Sequence, residues 1–223
     1  MKIDEQMRVR GVNWIGEGIF ELVLERAEWL TFLPGDCLAL FAADGRVSRP
    51  YSIASGKDEG EVRFVIRKMS DGVVSPYLAE RKEGDVVRVS PPFGWFRPGE
   101  CREERPFMAL ATGTGIAPFL SYLRSYPNHP PSALWYGVRE GQDVIDPGIK
   151  GGGCEVRIAV SREQVEGLHH GRITDWLEEL PRGGDTDYYL CGLDTMIDEV
   201  TVHLEQRGVP IYRIHRECFF NAS

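Results

Sequence analysis

Over the first hundred residues, apolar and polar positions alternate in short runs. "RVRGVNWI", "IFELVLER", "DCLALFAA", "RPYSIAS", "EVRFVIRK" and "DVVRVS" are each bounded by Gly, Asp or Pro. Alternation of period two between turn residues predicts strands, and several short strands at close spacing predict an antiparallel barrel or sandwich. One stretch breaks the pattern. "SPYLAERKEG" predicts a helix with Ser75 as its N-cap, Pro76 in the first helical position and Gly84 as its stop.

The texture changes near residue 100. "GWFRPGECREERP" is polar and punctuated by Pro and Gly, as a linker is. Beyond it, uniformly apolar runs alternate with helical patterns: "FMALAT" then "APFLSYLRSY", "SALWYGV", "EVRIAV", "ITDWLEEL", "DYYLCG" then "TMIDEVTVHLEQRG", and finally "VPIYRIHR". Strands without alternation, interleaved with helices, predict a parallel sheet covered on its faces. Two domains follow, residues 1–102 as the barrel and 103–223 as an open α/β sheet.

Composition adds exclusions. The chain has 223 residues, and its 42% hydrophobic content is enough for a core. Its formal charge is 26 − 34 = −8, which argues against double-stranded nucleic acid as a partner. The acidity lies mostly in the second domain. Residues 1–102 carry 15 basic and 16 acidic groups, and residues 103–223 carry 11 and 18. No apolar run reaches the roughly 18 residues of a membrane span, and "MKIDEQMRVRG" lacks the apolar core of a signal peptide. The five cysteines are scattered without a C-x-x-C pair, so neither a disulfide framework nor a metal cluster is expected. A reducing cytoplasm suits such a chain.

The sharpest chemical signal is "MALATGTGIAPFLSYL", residues 108–123. A strand runs into a Gly-rich turn and then a helix. Gly113 and Gly115 let backbone approach a ligand, and the turn's amides offer donors to an anion such as a pyrophosphate. Pro118 stands where the common dinucleotide fingerprint has a third Gly, which argues against an ordinary Rossmann dehydrogenase. A tight turn with no ligand is the other reading. In "DYYLCGLDTMIDEV" a second strand ends at Cys191, where ligands of open α/β sheets bind. A plain core cysteine is the alternative there.

Taken in order, "RPYS" (49–52), "DGVVSPYL" (71–78), "PPFGWF" (91–96), "ATGTGIAP" (111–118), "VSRE" (160–163), "GRI" (171–173), "CG" (191–192) and a Glu-x-aromatic at 217–219 resemble the ferredoxin–NADP(H) reductase family of flavoproteins, nearer its bacterial type. The resemblance implies a Greek-key barrel that holds FAD, followed by an α/β domain that holds NADP(H). It implies that Arg49 pairs with the FAD pyrophosphate, Pro50 and Tyr51 pack along the flavin, and Ser52 hydrogen-bonds near flavin N5. It assigns Gly72, Val74 and Ser75 to the pyrophosphate. Thr112, Gly113, Thr114 and Gly115 match the NADP loop, and Cys191 and Gly192 the pair beside the nicotinamide. Arg139, Arg162 and Arg172 match the arginines that hold the 2′-phosphate, with Ser161 assisting. A phosphate suits guanidinium groups, and a ribose diol would want a carboxylate instead. His169 and His170 stand where some relatives stack an aromatic on the adenine.

The end of the chain, "ECFFNAS", places Phe219 and Phe220 close together. They are either core or held against something flat. Plant-type relatives end Glu-x-Tyr with the ring on the flavin, so Phe219 or Phe220 is expected there, and Glu217 is expected to serve proton supply. The catalytic candidates are thus Ser52, Cys191 and Glu217. The expected activity is FAD-dependent transfer of electrons between NADP(H) and a one-electron carrier, a ferredoxin or flavodoxin, by a monomer. Arg97, Arg102, Arg105 and Arg216 are candidates for docking that carrier. The alternatives are the reductase component of an oxygenase system, a free-flavin or quinone reductase, and an electron-transfer subunit of a larger complex.

Overall fold

The computed structural model describes residues 5–149, 153–181 and 185–219. The chain divides into two compact units, Met1–Arg97 with Ala117–Ser125, and Pro98–Ile116 with Tyr126–Ser223.

In the first unit, β1 (Glu5–Gly16), β2 (Ile19–Glu25), β3 (Cys37–Phe41), β4 (Ser48–Ser52), β5 (Glu61–Arg67) and β6 (Val86–Val89) form one antiparallel sheet in the order β4-β3-β6-β1-β2-β5. The last strand, β6, inserts between β1 and β3, which makes the connections a Greek key. The sheet's two outer strands meet just past β4, where the Ala54 amide donates to the Arg63 carbonyl at 2.7 Å. The Arg63 amide donates to Ser55 Oγ at 3.2 Å. Closure follows from twist and leaves no long edge exposed. Alternate residues point inward, as the pattern requires: Phe20, Leu22 and Leu24 from β2, Leu38 and Leu40 from β3, Phe64 and Ile66 from β5. Each such side chain contributes roughly 1.5–3 kcal/mol by leaving water.

Helix α1 spans Val74–Ala79, and this corrects the expected capping. Val73 is the N-cap and makes no side-chain cap bond. Ser75 lies one position inside the helix, and Pro76 is third rather than first. The Ser75 hydroxyl instead accepts the Met69 amide at 3.0 Å. The hydroxyl thus ties down the Met69–Gly72 turn that precedes the helix. Gly84 is not the helix stop either. The helix ends at Ala79, and Gly84, at φ +89°, turns the chain into β6.

A second helix, α2 (Ala117–Ser125), belongs to this unit by its contacts. Ser121 Oγ donates to Ser55 O at 2.8 Å and Arg124 Nη1 to Ala54 O at 2.9 Å, and the Lys57 amide donates to Ser125 Oγ at 2.9 Å. Gly56 is needed where the two backbones touch, since a Cβ there would lie 3.1 Å from Arg124 Cβ. The loop after β4 is therefore tied down by α2.

The second unit is a parallel sheet of β7 (Phe107–Thr112), β8 (Ala133–Val138), β9 (Glu155–Val160), β10 (His169–His170), β11 (Asp187–Gly192) and β12 (Ile214–Cys218), in the order β10-β9-β8-β7-β11-β12. β8 and β11 are buried along their whole length, as strands covered on both faces must be. Helix α3 (Asp194–Gln206) adds Met196, Ile197, Val200 and Leu204 to a core with Leu110, Trp135 and Leu190. "ITDWLEEL", expected as a helix, is a 3-10 helix at Ile173–Glu179. The two-residue β10 has no apolar signature and was not foreseen.

Candidate cofactor and nucleotide sites

On β4, Arg49 and Pro50 are exposed, Tyr51 is half-buried and Ser52 is buried. Arg49 Nη1 donates to the Ser48 carbonyl at 2.9 Å. Burial pushes the Tyr51 phenol up to about 12, against the opposing pull of the Arg49 charge. Tyr51 therefore stays a neutral, flat, amphipathic surface at physiological pH. The antiparallel register sets Cys37 opposite Ser52, and the thiol and hydroxyl lie 3.4 Å apart. No sequence signal links two residues fifteen positions apart, so this neighbour was missed.

Gly72 lies in the turn before α1. A Cβ there would come within 3.1 Å of Met69 Cβ and 3.3 Å of Ser75 Oγ. Val74 sends its side chain into the barrel core, so only its backbone is available to a ligand. Ser75 is buried on the Met69 amide. Ser75→Ala should leave that amide without its acceptor, at roughly 1–3 kcal/mol. Thermal unfolding should register it as a fall of about 2–4 °C for each kcal/mol lost. An unchanged melting temperature would remove the structural role assigned to this hydroxyl.

In the second unit the ends of three strands converge. Cys191 pairs with Ala111 on β7 and with Glu217 on β12. Thr112 ends β7, and Gly113–Ile116 form a 3-10 turn. The Thr112 hydroxyl accepts the Leu193 amide at 2.8 Å and so latches one strand end to the other. Gly192, at φ +135°, has no room for a side chain, since a Cβ would lie 2.7 Å from Thr112 O. Gly115 is more constrained still. A Cβ there would lie 2.6 Å from the Cys191 carbonyl carbon and 2.7 Å from Gly192 Cα. Gly113, at φ +55°, faces open space, and Thr114 is half-buried between the two glycines. Cys191 is fully buried, and its thiol points to Glu217 Oε2 at 3.8 Å. The Phe219 amide donates to Gly192 O at 3.2 Å, which carries the chain past β12 along the same strand end. Phe220 lies outside the described residues.

The arginines gather at neighbouring strand ends. Val138 and Val160 are in register, and Arg139 and Ser161 follow them. The Arg162 amide donates to Arg139 O at 3.0 Å, and Ser161 Oγ donates to Val138 O at 3.2 Å. Arg139, Arg162 and Arg172 are all exposed. Arg162 Nη1 has Glu140 Oε1 at 3.8 Å. Each histidine is engaged through a ring nitrogen. His169 Nε2 donates to Asp175 Oδ2 at 2.9 Å, and His170 Nδ1 donates to Glu163 O at 2.8 Å. The proposed basic docking patch is also largely committed. Arg97 pairs with Asp36 at 2.7 Å, Arg102 with Glu103 at 3.8 Å, and Arg105 with Glu104 at 3.1 Å and Asp187 at 3.5 Å.

These residues fit the groups that the sequence implies. In the second unit a glycine turn open at Gly113, with no Cβ to block it, precedes a set of exposed guanidinium groups. That is a donor set for a phosphorylated nucleotide. In the first unit an exposed arginine, a neutral tyrosine and a buried hydroxyl follow one another on β4, which suits a ligand with an anionic part and a flat part.

Comparison with known proteins agrees. Residues 17–97 match the family of oxidoreductase FAD-binding domains, and residues 109–201 the family of oxidoreductase NAD-binding domains. The toluate 1,2-dioxygenase electron transfer component of Pseudomonas putida is 29% identical over 96% of this chain and 67% of its own length. The anthranilate 1,2-dioxygenase electron transfer component of Acinetobacter baylyi is 31% identical, with the same shares. The chain thus spans about two thirds of these relatives. A ferredoxin NADP+ reductase from Neisseria gonorrhoeae, with bound FAD and NADP, superimposes with a TM-score of 0.86 over 99% of this chain and all of that one, at 20% identity. With both domain families matched in order and one fold shared end to end, the chain belongs to the ferredoxin reductase-like family of FAD-dependent oxidoreductases.

Proposed function

We propose that the chain moves electrons between a nicotinamide nucleotide, NADP(H) in preference to NAD(H), and a ferredoxin-type one-electron carrier. The observation that carries this reading is the convergence of Thr112–Gly115, Cys191–Gly192 and Glu217 at the ends of three adjacent parallel strands. Bound FAD supplies a two-electron acceptor that releases its electrons one at a time. The protein's part is binding, orientation and proton handling. Arg49 would answer the pyrophosphate charge, Tyr51 would pack along the ring and Ser52 would offer its hydroxyl to the reacting edge. Gly113 and Gly115 bring backbone amides to the nucleotide phosphates. Cys191, small and only weakly polar, borders the nicotinamide without competing for it. Glu217, whose Oε2 accepts the Cys191 thiol, is the carboxylate assigned to proton supply. Phe219, which continues this strand end, is the ring that would cover the flavin.

The names of the two dioxygenase relatives favour a second reading, in which the carrier serves an oxygenase system. A flavodoxin is the less supported acceptor. One purified sample tests these readings. Heat-released flavin should be FAD, because Arg49 with the α1 turn implies a pyrophosphate; FMN would overturn the site. Stopped-flow mixing of the reduced protein should show faster electron transfer to a [2Fe–2S] ferredoxin than to a flavodoxin. Brisk reduction of free flavin or quinone, with neither carrier reduced, would replace the reading by a free-flavin or quinone reductase. Gel filtration near 25 kDa would fit a monomer. Among the described residues no helix is long and apolar enough to cross a membrane.

A further inference from the structure

The segment "HHGR", residues 169–172, is held from several sides. His169 Nε2 donates to Asp175 Oδ2 at 2.9 Å, and the same oxygen accepts the Arg172 amide at 2.8 Å. The His169 ring packs against Trp176, with centroids 4.8 Å apart at a 45° tilt. His170 Nδ1 donates to Glu163 O, and the Gly171 amide donates to Val160 O at 3.0 Å. Glu163 in turn accepts the Gly141 amide through Oε1, so the loops after β8, β9 and β10 are interlocked. Gly171, at φ +155°, sits where a Cβ would lie 2.6 Å from His169 Nε2 and closer still to Asp175 Oδ2. The bridge closes directly over this glycine.

From this geometry we infer that His169 and Asp175 are positioning residues for nucleotide choice: their bridge across Gly171 fixes the backbone from which Arg172 reaches a ribose 2′-phosphate. The inference rests on the reading of Arg172 as a phosphate ligand. Its chemistry is simple. Arg172 is exposed, and a long exposed side chain on a loose loop loses affinity in proportion to the time its backbone spends elsewhere. A carboxylate shared between an imidazole N–H and the arginine's own amide holds that backbone in place. Hydrogen bonding from His169, then from the Arg172 amide, holds the Asp175 carboxyl below its ordinary range, so it stays an ionised acceptor for both donors. His169 therefore serves the phosphate end of the nucleotide and not the adenine face.

The test compares 2′,5′-ADP with 5′-ADP by calorimetry on the FAD-loaded protein, so binding is read without turnover. His169→Ala should weaken 2′,5′-ADP about fivefold, as expected if the holding conformation falls to about one fifth of the population, and leave 5′-ADP unchanged. His169→Gln, which keeps an N–H at a similar reach, should restore most of the difference. Asp175→Asn should act in the same direction as His169→Ala and serves if that variant folds poorly. Equal weakening of both ligands, or no change in either, would overturn the inference. Arg172→Ala separates this from the reading beneath it. If Arg172→Ala removes the preference for 2′,5′-ADP but His169→Ala and Asp175→Asn do not, only the positioning role fails. If Arg172→Ala leaves the preference intact, the phosphate reading fails and the positioning role falls with it.

Discussion

Gly115→Ala is expected to eliminate useful nucleotide binding while FAD remains bound. The added methyl group would meet the backbone of Cys191 and Gly192, with its carbon 2.6 Å from the Cys191 carbonyl carbon. Backbone cannot rotate away as a side-chain tip can. The turn after β7 or the end of β11 must shift, and overpacking of this kind costs about 1–3 kcal/mol. The functional loss should be greater than the loss of stability suggests. A displacement of about 1 Å at a site that aligns reacting groups can cost on the order of 100-fold in rate, and both strand ends lie in the proposed nicotinamide site. Steady-state kcat/KM with NADPH should therefore fall about 100-fold, with the flavin spectrum of the purified protein unchanged. Gly113→Ala is the internal control. A Cβ there meets nothing within 4 Å, so only the left-handed backbone resists it, at roughly 1–2 kcal/mol. If Gly115→Ala binds and turns over as the parent does, the turn is a structural junction and the nucleotide lies elsewhere.

The second large effect concerns which nucleotide is read. Arg162→Ala and Arg172→Ala should each lower kcat/KM for NADPH by about one to two decades through KM, with NADH little affected. Removing a charged donor from a phosphate costs roughly 1.5–3 kcal/mol, and 1.36 kcal/mol is one decade. The Glu140 carboxylate, 3.8 Å from Arg162 in an exposed pair, reduces this only slightly, because such pairs contribute about 0–1 kcal/mol. Steady-state kinetics with both nucleotides over one range of concentration decides it. Equal damage to both would mean these arginines hold a group that NADPH and NADH share.

Much of the architecture was legible because burial imposes a period. The apolar runs in "IFELVLER" and "DYYLCG" each mark a buried strand, and β2 is buried at five of its seven positions and β11 at all six. The glycine turn at 113–115 was legible because a backbone junction has no substitute for a missing Cβ. Local polar choices were harder to read. Ser75 followed by Pro76 has the form of a cap, yet the hydroxyl was claimed by Met69, six residues away, which no spacing rule anticipates. Thr112 was assigned to a ligand and is bonded to Leu193, eighty-one residues on. The role of His169 and His170 stays open in "HHGRI", because nothing there announces Asp175 and Glu163 as their partners. Such bonds depend on which strands become neighbours. That order is set by the packing of the whole sheet and is not written in either partner's surroundings.

The attachment of α2 to the loop after β4 bears on how the molecule is made. Synthesis delivers residues 5–97 first, but the carbonyls of Ala54 and Ser55 receive Arg124 and Ser121 only after another twenty-odd residues have emerged. Until then those carbonyls are left to water, and the loop after β4 lacks the donors that fix it. β7 must be made before the barrel is finished, and it is carried along as an unpaired strand during that interval. The change in texture near residue 102 is therefore a poor place to sever the gene. A fragment ending there would lack its closing helix, and the remainder would carry that helix without its partner. Mixed together, the two pieces should recover the cooperative melting that neither shows alone.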